Sequence, residues 1–476
     1  MSDSKKIVWY NLAFMAFSTV WGFGNVLNGY IYFNGIQVIF SWILMFALYF
    51  VPYALMVGEL GSAFKNAGGG VSSWIHETMG PKLAYYAGWT YWACHITYIA
   101  SKGSGGLKAL SWMVFQNGTT FSSFGTRPIQ FATLAIFLFF CWVASRGLNP
   151  LKKLATLAGT SMFVMSILYI IMMFAAPAIN PNGGYLHMDF SLKNLIPQFN
   201  MGYFTSLSIL VFAVGGCEKI SPYVNKVENP SKGFPKGMIA LAIMVMVCAI
   251  LGTIAMGMMF DPADIAANFD AYNANGSYWA FQKLGQYYGM GNALMIIYAA
   301  CNAIGQFSTL VISIDAPLRM LLDSEDARQF IPTKLLKKNK YGAYVNGIWM
   351  IVFLSGAIIL IQALVPSADA VLTQLTKLNS VTMPMRYLWV FAAYIALRKA
   401  KDKFNPEYKF VKNQGIALTA GAWCFIVTAA CCLLGMYKEG DMFTTALNVI
   451  TPIVLVGLGL IMPAIRKREN SNSVSE

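Results

Sequence analysis

Charge is scarce in this sequence: Asp, Glu, Lys and Arg supply 11% of its 476 residues, where an ordinary soluble domain carries about 25%. That scarcity excludes a string of soluble domains. Histidine is rarer still, at three residues, and neither a Cys-x-x-Cys pair nor a His-Glu-x-x-His stretch is present to suggest a metal site. No Gly-x-x-x-x-Gly-Lys segment exists to cradle a nucleotide phosphate, and no nucleophile stands at readable spacing from a base. These absences argue against an enzyme, against a bound cofactor or metal, and against ATP as the source of work. Long polar connections are missing too. The longest run to about 20 residues, too short for an extramembrane catalytic or ligand-binding domain.

Apolar residues are abundant, at 57%. They gather into runs long enough to cross a hydrocarbon core about 30 Å thick, which takes about 20 residues per helix. Windows bounded by Gly, Pro and charge predict twelve spans: 8–33, 36–63, 82–116, 128–145, 153–176, 201–220, 236–260, 286–322, 343–365, 369–397, 415–436 and 443–465. The first run is too long for a signal-peptide core, so the N-terminus is expected to stay on the first span. All eight cysteines fall in apolar segments and read as small packing residues.

The net charge of +14 sorts by loop. With both ends placed in the cytoplasm, 26 of the 34 basic residues fall on that side, including Lys5, Lys6 and the stretch from Lys219 to Lys236. Asp189, Asp261, Asp264, Asp270, Asp369 and Asp441 fall on the other. This is the positive-inside pattern of a cell (inner) membrane protein. It accounts for the charge through topology and contact with anionic lipid, without nucleic acid.

Two spans carry glycines where a membrane helix tolerates unpaired backbone only if it faces protein or a water-filled cavity. The first contains Trp21-Gly22-Phe23-Gly24-Asn25 and the sixth Val214-Gly215-Gly216-Cys217-Glu218. Each opens a possible five-span unit, 8–176 and 201–397, which an odd number of spans forces into opposite orientations. The segments 1–7 and 466–476 are then tails, and 415–465 holds the last two helices. Interrupted helices at matched places are where inverted-repeat secondary transporters hold substrate. Exposed amides at a half-helix N-terminus suit a carboxylate. Close helix packing alone is the plainer account of such glycines.

Gly58-Glu59-Leu60, then Gly68-Gly69-Gly70 and Trp74, resemble the end of the second span and the re-entrant segment of the amino acid/polyamine/organocation permeases. Glu218 followed by Asn229-Pro230 and Pro235 is similar to that family's sixth span and its Asn-Pro signature. Asp315-Ala316-Pro317-Leu318-Arg319, with Phe330-Ile331-Pro332, resembles the eighth span and its exit. Val224-Asn225 points to the branch of glutamate/GABA antiporters and their YjeM-like relatives. The resemblance covers nearly the whole chain. It implies an all-α polytopic membrane protein, with twelve transmembrane helices in a LeuT-like 5+5 inverted repeat whose helices 1 and 6 are broken. Gly22-Phe23-Gly24 stands where many members have Gly-Ser-Gly, so the main chain is expected to do more of the binding here.

Ionisable residues inside spans cost at least about 2.5–3.5 kcal/mol at the centre and default to functional hypotheses. His95, Tyr98 and Lys102 share one face of span 3. His95 is either a substrate contact able to carry a proton or a neutral ring bonded to a carbonyl. Lys102 replaces a sodium ion, pairs with a substrate carboxylate, or snorkels outward. Glu218 either locks helices or accepts a coupled proton. Phe212 resembles the aromatic that covers substrate. Asp315 and Arg319, four residues apart, are expected to pair near the cytoplasmic end. Lys377, Asn379, Ser380 and Thr382 are expected along the outer cavity.

The expected function is secondary active transport of an amino acid or related amine by alternating access, through exchange or with protons. The backbone of Gly22, Phe23, Gly24 and Asn25 is expected to hold the carboxylate, Gly215 and Gly216 the amino group, and His95 and Phe212 the side chain. His95, Lys102 and Glu218 are candidates for coupling or charge balance. A glutamate/GABA-type substrate and a cationic one, lysine or a diamine, both remain open. A permease-like amino acid sensor would call for a longer cytoplasmic tail, and a membrane-embedded transferase for an acidic metal-binding cluster.

Overall fold

The computed structural model describes residues 6–324, 327–365, 379–400, 402–438 and 440–474. The fold is all-α: twelve membrane helices in the LeuT-like 5+5 inverted repeat, with the first and sixth broken. Among the described residues nine helices are long and apolar enough to cross a membrane. Those are spans 2 (Gly35–Ala63), 4 (Thr126–Ala144), 5 (Leu148–Ile179), 6 (Met201–Lys226) and 7 (Pro230–Gly257), then 8 (Ala293–Leu322), 9 (Val345–Leu364), 11 (Gln414–Met436) and 12 (Met442–Ser471). Each remaining span has a visible reason for standing apart. Span 1 is split into Trp9–Val20 and Gly24–Tyr32. Span 3, Pro81–Phe115, is diluted by His95, Lys102 and Lys108. Span 10 is described from Asn379 and is interrupted at Arg386, between Asn379–Met385 and Tyr387–Lys399.

Several boundaries differ from the sequence reading. Span 7 starts at Pro230 rather than 236, because Lys232 and Lys236 interrupt the apolar run without interrupting the helix, and proline suits a first turn. Span 5 likewise starts at Leu148, ahead of Lys152 and Lys153. The window 286–322 is two elements: span 8 is preceded by a separate helix, Phe269–Tyr287, and the turn between them has positive φ at Gly289 and Gly291. That helix packs against the core, with Tyr278 stacked on Trp112 at 4.9 Å and Phe281 on Tyr298 at 4.3 Å. A short helix, Val71–Met79, follows the glycine run after span 2.

Span 3 packs along span 8, the first segment of span 1 against span 5, and span 7 against span 2. The chain ahead of span 1 is tied to the chain leaving span 6: Ile7 N–H donates to the Lys226 carbonyl and Glu228 N–H to the Ile7 carbonyl, each at 2.8 Å. Along span 8 every residue from Ser308 to Leu318 is buried. Asp315 Oδ2 accepts from Arg319 Nε and from the Tyr223 hydroxyl, both at 2.7 Å, so the expected pair is present. Arg319 also lies 3.4 Å from Asp323, which Lys338 approaches at 2.6 Å. This end of the bundle is closed.

Candidate substrate-binding site

The two breaks meet at the centre of the bundle. Span 1 leaves helical geometry at Trp21, whose backbone is extended, and the second segment starts with Asn25 N–H on the Gly22 carbonyl (2.9 Å) and Val26 N–H on the Phe23 carbonyl (3.1 Å). The amides of Gly22, Phe23 and Gly24 precede those bonds, at the positive end of the segment. Span 6 breaks at Gly215, which is extended, and Gly216, whose φ of +105° is left-handed backbone natural to glycine. A tight 3-10 stretch, Cys217–Lys226, follows.

Carbonyls freed by these breaks need donors, and Asn25 supplies them. Its Nδ2 donates to the Val20 carbonyl at 3.2 Å and to the Ala213 carbonyl at 3.1 Å, stitching one break to the other. Asn25→Ala is therefore expected to cost about 1–3 kcal/mol through two orphaned carbonyls. A lowered melting temperature in detergent checks this, and an unchanged one refutes it.

Between the breaks lies a cavity of ≈ 390 Å³, walled by spans 1, 3, 6, 8 and 10, by Met162 of span 5 and by the helix Phe269–Tyr287. Gly22, Gly24, Asn25, Lys102, Phe212 and Gly215 line it. Phe23 stands outside the lining, in an aromatic cluster with Tyr169 and Phe281, each at 4.8 Å. Gly216, His95 and Glu218 also lie behind the wall. Lys377 and the Ser380 side chain fall outside the described residues. Asn379 accepts from Thr97 at 2.9 Å, and Thr382 lines a separate, mainly apolar cavity of ≈ 390 Å³ with Cys94 and Trp389.

Arg386 organises that wall. Its Nη1 is 2.8 Å from His95 Nε2, while His95 Nδ1 faces the Tyr91 carbonyl at 2.5 Å. A carbonyl only accepts, so Nδ1 carries the proton and Nε2 accepts from the guanidinium. Arg386 Nε forms an ion pair with Glu218 Oε1 at 3.4 Å, too long and misaligned to count as a hydrogen bond. Glu218 Oε2 accepts from the Tyr53 hydroxyl. The guanidinium lies over the rings of Tyr91 and Tyr387, 5.2 Å from each. Spans 2, 3, 6 and 10 are thus joined through one buried arginine, with His95 held neutral and Glu218 fully buried and paired.

Lys219 departs from the expectation that placed it in an inner loop: it is 2% exposed, lies within the 3-10 stretch of span 6 and lines the cavity. Its Nζ donates to Ser313 Oγ of span 8 at 2.7 Å and sits 5.1 Å from the Tyr98 ring centre. Lys108, also unremarked in the sequence, lines the cavity and donates to the Ala274 carbonyl. The signal for Lys219 was its place one residue beyond Glu218 on a broken span. Four cations, Lys102, Lys108, Lys219 and Arg386, therefore face the cavity, and among the described residues no carboxylate does.

Known proteins agree with this architecture. The amino acid permease family model matches residues 7–467. The aspartate/glutamate permease AcaP of Lactococcus lactis subsp. cremoris is 48% identical over 99% of this chain and 98% of its own length. The inner membrane transporter YjeM of Escherichia coli is 24% identical over 95% of this chain and 91% of its own length. The glutamate/gamma-aminobutyrate antiporter of Lactococcus lactis subsp. lactis is 21% identical over 81% and 75%. With two broken helices around a central cavity and a family match over almost its whole length, the chain belongs to the amino acid permease family of secondary amino acid transporters.

Proposed function

We propose that this transporter carries acidic amino acids, aspartate and glutamate, across the cell membrane. The observation that carries the reading is the cavity lining: four cationic side chains and no acidic one among the described residues. An acidic amino acid brings two carboxylates and one ammonium, hence one net negative charge. A lysine or diamine would meet repulsion of about 3 kcal/mol per lysine of the lining at about 6 Å and an effective dielectric near 20, the charge of Arg386 being offset by Glu218 behind the wall. The same field favours the acidic solute. A relative 48% identical to this chain bears the name aspartate/glutamate permease. GABA, with one carboxylate and no net charge, fits the lining less well than either dicarboxylate.

Both ends of the chain are assigned to the cytoplasm, where the basic loops lie. The closed end of span 8, beside the basic loop from Arg319 to Lys340, then faces inward. On that assignment the cavity would open outward, on the side where Asn273, Ala274 and Ser277 of the helix Phe269–Tyr287 line it. His95 and Glu218 are already committed to Arg386, so coupling falls to exchange against an internal solute or to a proton carried elsewhere.

The test is uptake of labelled aspartate into proteoliposomes, with unlabelled competitors outside. Aspartate and glutamate are expected to compete at least about tenfold better than asparagine, glutamine, lysine or putrescine, a gap of about 1.4 kcal/mol. Preloading with glutamate, compared with an inward proton gradient, separates exchange from symport. Lysine or putrescine competing as well as aspartate would overturn the substrate class.

A further inference from the structure

The cations facing the cavity differ in what they are already bonded to. Arg386 is given to His95 and Glu218, Lys108 to the Ala274 carbonyl and Lys219 to Ser313. Ser313 in turn donates to the Thr309 carbonyl at 2.6 Å, which leaves its lone pair for the Lys219 ammonium and fixes that group in place. Lys102 is different. Its ammonium has three donors, yet among the described residues it has no hydrogen bond and no ion pair, only the face of Tyr98 at 4.6 Å from the ring centre. A half-buried cation with nothing but a ring beneath it lacks the acceptor that desolvation normally demands.

Tyr98 carries two ammonium groups on one ring, Lys102 at 4.6 Å and Lys219 at 5.1 Å. One is pinned by span 8 and the other is uncommitted, and both line the cavity that holds the broken segment of span 1. An anion arriving beside Tyr98 gains the free donors of Lys102 and relieves the repulsion between the two ammonium groups. The main-chain amides around Gly22 and Gly24 are suited to an α-carboxylate, so the charge beside Tyr98 is left for a second one.

We infer that Lys102 is the specificity-determining residue that binds the side-chain carboxylate of the substrate, with Lys219 as a fixed positioning residue across the Tyr98 ring. This rests on the acidic-substrate reading. It adds that the preference for an acid over its amide resides in one side chain of span 3. A neutral residue at position 102 leaves the main-chain site intact and removes the reason to choose aspartate over asparagine.

The experiment measures dissociation constants of aspartate, glutamate, asparagine and glutamine, from ligand-induced shifts in melting temperature, on the purified full-length protein. Wild type, Lys102→Gln and Lys102→Arg are compared. In Lys102→Gln, aspartate and glutamate are expected to weaken roughly 10- to 100-fold, as for loss of a charge-assisted contact. Asparagine and glutamine should bind at least as well as before, so the acid-to-amide ratio inverts, and Lys102→Arg should keep the wild-type order. Lys102→Met gives the same reading if the glutamine variant is poorly folded without ligand. A variant that weakens acids and amides equally, or leaves their ratio unchanged, overturns the role of Lys102. A wild type with no preference for acids instead overturns the substrate class, whatever Lys102 does.

Discussion

Arg386→Met is expected to destabilise the protein by about 3–5 kcal/mol and to abolish transport, the largest single-residue effect foreseen here. Glu218 is 0% exposed and Arg386 3%, and the arginine is the only cation in ion-pair contact with that carboxylate among the described residues. Removing it leaves a carboxylate buried in a membrane protein with, among the described residues, only the Tyr53 hydroxyl bonded to it, and frees His95 Nε2. The double variant Arg386→Met/Glu218→Gln separates two meanings of that loss. Where both charges go, the buried penalty goes with them, and most of the thermal stability should return. Transport should not return, because the four-span junction beside the cavity is rebuilt without its guanidinium. Melting temperature in detergent and aspartate uptake in proteoliposomes give the two readings. A single variant as stable as wild type, or a double variant no better than the single, would show that the pair does not hold the spans together.

The second large effect is expected at Gly215. A Cβ built there would lie 2.2 Å from the Tyr387 ring, a distance no relaxed contact allows. Tyr387 is 1% exposed and packs on Tyr53 at 5.6 Å, so the ring can yield only toward the cavity that it lines, where it would take up substrate space. Overpacking of this kind typically costs about 1–3 kcal/mol and shifts backbone, and here the backbone that shifts is the break itself. Gly215→Ala should therefore lose most transport together with stability. Gly22→Ala is the informative contrast: nothing lies within 4 Å of the added carbon, which points into open space. Its melting temperature should stay near that of wild type while substrate affinity falls, because the methyl group occupies space in the cavity. Equal destabilisation at the two sites would mean that the breaks are not built differently.

The membrane class, the helix breaks and the closing pair Asp315–Arg319 are readable in the chain because each depends on near neighbours. A run of apolar residues is a span wherever it stands, glycine pairs release the helix at their own position, and residues four apart meet on any helix. Lys102 was visible for the same reason, as a charge in the middle of an apolar span. Lys219 was not. Counted along the sequence it joins Lys226, Lys232 and Lys236 as one more inner-loop lysine, and only the turn at Gly216 directs it back toward Ser313, 94 residues later. His95 shows the opposite displacement: its span and face are legible, and so is a carbonyl one turn back for Nδ1, yet the group that donates to its Nε2 is Arg386, 291 residues away.

What the amino-acid order settled by itself is whatever a single helix can express: the span pattern, the sign of each loop, the two interruptions and the absence of any enzyme-like motif. The tertiary structure alone decided which charges face the cavity and which are already satisfied. The physical reason is that an intramembrane charge is defined by its partner. Partners are chosen by packing between spans distant in sequence, so Glu218 behind the wall takes up Arg386, while Lys102, equally charged on paper, is left facing the cavity with no ion pair among the described residues.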